Sequence, residues 1–120
     1  MADESYHMTS TLEGDVLRVV ATGPASLKLM KRLLDQVADE IKARGSKKVL
    51  VDLHELTGRL SNLERYQIGE YAVGRIRVKI AVIAPAGLVN HLGETVAVNR
   101  GVNVRVFTEE IPAVVWLRAP

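Results

Sequence analysis

The chain has 120 residues, 48% of them hydrophobic and 25% charged, so it is long enough for one buried core, too short for two ordinary domains and too apolar to stay disordered. Sixteen basic against fourteen acidic residues leave a net charge of +2, a balance that does not by itself point to nucleic acid, and the lack of cysteine excludes disulfides, thiol nucleophiles and thiolate metal sites. The opening MADESYHM lacks the basic-then-apolar order of a secretory signal, and no apolar run reaches the roughly 18 residues of a spanning helix. The expectation is a cytoplasmic protein, at most peripheral to the membrane.

YHMTSTLEGDVLRVVATG reads as a hairpin, because two β-prone runs flank Glu13-Gly14-Asp15, whose glycine supplies the positive φ of a tight turn. After Gly23-Pro24, apolar residues recur at Leu27, Met30, Leu34, Val37 and Ile41, a helical stripe that Pro24 suits as a start and Gly45 as an end. KKVLVDL, KIAVIAP and VNVRVF read as strands; Val49, Leu50 and Val51 form the unbroken apolar run of a strand covered on both faces. Helical segments lie between them over residues 61–74 and 86–100, and TEEIPAVVWL closes the chain as a short helix capped by Thr108. In GRIRVK, Arg75, Arg77 and Lys79 alternate with Ile76 and Val78, one wet and one dry face, without an aromatic for base stacking. The order ββαβαβαβα over a single domain, 1–120, implies an α/β fold: a mixed, mostly parallel five-stranded sheet with helices packed on it.

No glycine-rich phosphate loop or other cofactor motif occurs, His7, His54 and His91 lack metal-ligand spacing, and nothing fixes a nucleophile, so the expectation is a protein without catalytic residues, cofactor or metal. Ligands of open α/β sheets sit beyond the carboxyl ends of the parallel strands, which gathers a candidate polar rim from Asp52, His54, Glu55, Thr57, Asn90 and His91. An acid/base pair built on His54 and a carboxylate is one use of that rim, and a loop kept polar by solvent is the other.

SNLE matches the capping box S-x-x-E, so Ser61 caps the following helix; a helix N-terminus also welcomes a phosphate, which leaves room for a phosphoacceptor at the same residue. At about 100° per residue, Leu63, Tyr66 and Val73 lie on one side of that helix, Ile68, Ala72 and Ile76 nearly opposite, and Tyr71 between them. A helix apolar on both sides is either buried on both or meets something else: a second protomer, an apolar small molecule or a lipid or membrane surface. Leu63, Tyr66, Ile68, Tyr71 and Ala72 are the candidate contacts. Gly69 and Gly74 each weaken the helix by up to about 1 kcal/mol, as suits a segment that moves.

The ending NRGVNVRVFTEEIPAVVWL and the central KKVLVDLHELTG resemble the SpoIIAA-like group of the STAS superfamily, which is often described together with SEC14-type lipid-binding domains, and the resemblance covers nearly the whole chain. It implies a non-enzymatic binding module. In anti-sigma factor antagonists of that superfamily, an Asp-Ser-Ser-Gly-like motif after the central strand carries a phosphorylated serine, which the resemblance places at Ser61, with Leu60, Asn62 and Leu63 at the flanking positions. The alternative it implies is a regulator that acts on a protein partner. A homodimer through the same helix suits either use.

Overall fold

The computed structural model describes residues 6–120; the first part of the polar opening, residues 1–5, lies outside them. The hairpin is formed by β1 (His7–Glu13) and β2 (Val16–Pro24), antiparallel along the whole of β1 and as far as Thr22 of β2, with Gly14 at φ +64° in the turn. Helix α1 (Leu27–Arg44) follows. Its N-cap is Ser26, whose hydroxyl accepts from the Leu29 N–H, and not Pro24, which still belongs to β2; Gly45, left-handed at φ +63°, closes it.

Then come β3 (Lys48–Asp52), a two-residue strand β4 (Leu56–Thr57), α2 (Asn62–Ala72) and β5 (Lys79–Ile83). The expected helix over 86–100 is broken into a 3-10 turn (Ala86–Leu88) and α3 (His91–Asn99), because the Asn90 side chain accepts from the Gly93 N–H and starts a new helix there. Strand β6 (Val104–Phe107) and α4 (Glu110–Arg118) complete the chain; the N-cap of α4 is Glu109, without a side-chain cap, one residue later than the expected Thr108.

The main sheet runs β1-β2-β3-β5-β6, parallel from β2 onward, and β4 adds a short parallel pairing to the end of β2. This is the anticipated mixed sheet with one small strand more. Each crossover steps one strand in the same direction, and right-handed connections then bring α1, α2 and α3 to the same face. Strand alternation divides the core accordingly. Leu17, Val19, Val49, Val51 and Ile80 pack with Leu29, Leu33, Val37 and Ala97 on the three-helix face, while Val16, Leu50, Ala81 and Ile83 meet Ala113 and Leu117 of α4 on the other.

Candidate functional site

Helix α2 lies between two others. On one flank the Tyr71 hydroxyl donates to Asp35 of α1 at 2.9 Å, and the Arg75 guanidinium stacks 3.6 Å from the Tyr71 ring centre. On the opposite flank, Arg100 beyond the end of α3 donates to the Tyr66 hydroxyl at 3.4 Å and to Glu70 at 3.3 Å. The tyrosines therefore use their hydroxyls as ties to neighbouring elements.

Gly69 does not mark a loose segment. It is buried against Gly93 of α3, and a Cβ built on it would lie 2.7 Å from the Gly93 Cα. Gly74 stands beyond the end of α2, at φ +81°. Arg65 fastens the helix further: its guanidinium donates to the carbonyls of Leu60 at 3.1 Å, Val89 at 2.6 Å and Gly87 at 3.1 Å, while the Asn90 amide returns a bond to the Arg65 carbonyl at 3.1 Å.

Beneath α2, between the three helices and the sheet, is a cavity of about 120 Å³. Its walls are almost entirely aliphatic, with Leu33 and Val37 from α1, Ile68 and Ala72 from α2, Val82 from β5 and Ala97 from α3 among them; Asn90 and Glu94 are the polar side chains at its border. Of the five anticipated contacts on α2, Ile68 and Ala72 line this cavity, Tyr66 and Tyr71 serve the ties just described, and Leu63 is 66% exposed at the start of the helix.

Ser61 is exposed and closes a complete capping box: its hydroxyl accepts from the Glu64 N–H at 3.1 Å, and the Glu64 carboxylate accepts from the Ser61 N–H at 2.8 Å. These bonds hold the Glu64 carboxyl below the usual glutamate range.

The polar rim divides into two groups. Asp52, buried at the end of β3, accepts from the His54 backbone N–H at 3.1 Å and lies 2.5 Å from His54 Nδ1, while His54 Nε2 lies 3.6 Å from Glu55. The bond to Asp52, and then the charge of that carboxylate, raise the His54 pKa above its ordinary value. Because Leu50 faces α4, Asp52 two residues on does the same. It meets Arg18 of β2 at 3.7 Å, and Arg18 also pairs with Glu110 in the first turn of α4. The Thr57 hydroxyl donates to the Gly23 carbonyl at 3.5 Å, and the Thr57 carbonyl accepts from the Ala25 N–H at 2.7 Å.

Asn90 and His91 belong to the start of α3. Among the described residues no hydrogen bond or ion pair joins them to Asp52 or His54; His91 Nδ1 lies 3.4 Å from Glu94, and the Glu94 carboxylate also accepts from the Val106 N–H of β6. Arg18, Glu94 and Arg65 were not anticipated as site residues. The alternation of VLRVVA sets Arg18 opposite Leu17 and Val19, a local signal, but only the strand order brings it to Asp52.

Over this architecture the chain is similar to an uncharacterized protein of the DUF3478 family with a SpoIIAA-like fold from Shewanella loihica PV-4, known from its crystal structure. The match has a TM-score of 0.53 at 18% identity and covers 94% of each chain. The fold is SpoIIAA-like. Neither a family model nor a curated protein sequence matches the chain. At that identity the likeness describes the SpoIIAA-like arrangement of strands and helices. No helix among the described residues is long and apolar enough to cross a membrane, and no group of His, Asp and Glu among them has the arrangement of a metal site.

Proposed function

We propose that this SpoIIAA-like domain is a non-enzymatic binding module that takes a small apolar molecule, or the apolar end of a lipid, into the cavity beneath α2. The observation that carries the reading is the cavity itself, about 120 Å³ and walled by aliphatic side chains. An aliphatic cavity of about 150 Å³ stays dry and accepts benzene, whereas sites for drug-sized ligands begin near 300 Å³. The occupant is thus a single ring or a short hydrocarbon segment. The exposed Leu63 at the start of α2 supplies an apolar contact for a lipid or membrane surface around the same helix.

The test is a benzene titration followed by amide NMR shifts. Saturable shifts at cavity-lining residues such as Ala72 and Ala97 are expected, and Ala97→Leu, which puts an isobutyl group into the space, should remove them. Shifts that ignore that substitution, or none in the parent protein, would refute the reading.

A second reading, a protein-interaction regulator switched at Ser61, draws support from the exposure of that hydroxyl at a helix N-terminus. It requires Ser61→Asp and Ser61→Ala proteins to differ in capture of a partner.

A further inference from the structure

The apolar cavity does not end in a featureless wall. At the Asn90 and Glu94 border it abuts a second, more polar pocket of about 240 Å³, lined by His91, Val106, Phe107, Thr108 and Glu109 among others. Val106 borders both spaces, and the chain passes from the polar pocket at Val89 to the cavity at Asn90 and back at His91. The two spaces are joined chemically as well. Glu94 lines the cavity, His91 lines the pocket, and the two side chains pair at 3.4 Å.

Resting on the binding reading above, we propose that the ligand is an amphiphile: a small apolar body in the cavity and a hydrogen-bond-donating head, an alcohol or an amine, at the Glu94–His91 pair. A carboxylate head is disfavoured, with Glu94 as the specificity-determining residue.

The charge around the junction supports that choice. Glu94 and Glu109 present two carboxylates against one imidazole, His91. Among the described residues no Arg or Lys lines either space, and Arg65 nearby commits three of its five N–H groups to the carbonyls of Leu60, Gly87 and Val89, so no guanidinium fork faces a ligand carboxylate from the lining. The Glu94 carboxylate accepts from the Val106 N–H and lies beside His91, yet a carboxylate offers about four lone-pair sites, so acceptor capacity remains for a ligand donor. An anionic head would meet the like charge of Glu94, whose side chain is only 20% exposed.

The experiment uses three probes that share one ring and differ only in head: benzylamine, benzyl alcohol and benzoate, each titrated at neutral pH into the wild-type protein and Glu94→Gln, with benzene as the headless reference. The amide oxygen of Gln still accepts from the Val106 N–H. In the wild type, benzylamine and benzyl alcohol should bind about tenfold or more tightly than benzoate, and Glu94→Gln should bring benzylamine and benzoate to within about threefold of each other. Benzoate binding as tightly as benzylamine in the wild type, or discrimination that survives Glu94→Gln, would overturn the assignment to Glu94 while benzene binding kept the apolar cavity in place. If benzene and all three probes fail to perturb the cavity residues, the binding reading falls first and takes this inference with it.

Discussion

Gly69 of α2 and Gly93 of α3 meet backbone to backbone: a Cβ on Gly69 would stand 2.7 Å from the Gly93 Cα, and a Cβ on Gly93 would stand 2.7 Å from the Arg65 carbonyl oxygen. Two effects therefore oppose each other in Gly69→Ala. Alanine gains about 1 kcal/mol of helix propensity, but the contact leaves no room for its methyl, and overpacking of this kind costs about 1–3 kcal/mol. We expect a net loss, because the obstructing atoms belong to the main chain and cannot rotate away. Urea unfolding monitored by circular dichroism checks it, and a stabilised Gly69→Ala protein would show that the two helices separate freely.

The capping box of Ser61 predicts a smaller effect. Ser61→Ala should lower stability by about 1 kcal/mol, and Ser61→Asp, which keeps an acceptor at the N-cap, should retain most of it. Since Glu64 has a lowered pKa in the folded state, its half of the box contributes above the unfolded value near 4.3 and is lost as pH falls through the folded one. Unfolding midpoints of the three proteins at neutral pH test the ranking. A Ser61→Asp protein as unstable as Ser61→Ala would contradict it.

His54 should titrate above the ordinary value near 6.5, because Asp52 stabilises the imidazolium by a hydrogen bond and by charge. A group whose pKa rises on folding contributes its full stability below the unfolded pKa and loses it as pH climbs through the folded value. Relative to His54→Asn, the wild-type protein should therefore lose stability as pH rises from about 6.5 through the raised folded-state pKa of His54. Imidazole shifts measured by NMR give the pKa directly; a value at or below about 6.5 would remove the prediction.

Arg65 predicts a change in dynamics. Replacing it with Ala frees the carbonyls of Gly87 and Val89, so the Leu88 amide, held by the Pro85 carbonyl at 2.8 Å, should exchange with solvent faster. Hydrogen exchange resolved at that amide is the measurement. Exchange as slow as in the parent protein would show that the turn is stable without the clamp.

What the sequence discloses here depends on how far apart the partners lie along the chain. The Ser61 box joins residues three apart, and the alternation of Val49, Leu50 and Val51 is a property of one strand, so both are visible in a short window. The Gly45 cap and the Gly14 turn are local for the same reason. Gly69, by contrast, reads as a weak point until Gly93 is set against it, and Asp52 reads as part of a wet rim until Arg18 and Glu110 close over it. Asn90 splits the third helical segment through a bond to Gly93 that the surrounding propensities conceal. The cavity belongs to no single element, since α1, α2, α3 and the sheet each supply part of its wall.

The bond from the Val106 N–H to Glu94 has a further consequence for the protein in a crowded solution. Strand β6 ends the sheet on one side, and an exposed strand edge is a template on which a neighbouring chain can polymerise. Glu94 occupies one of the donors that such a neighbour would need and sets a negative charge beside it. Fibre-like growth of the sheet is thereby discouraged at β6, and the edge left to resist it by other means is β1.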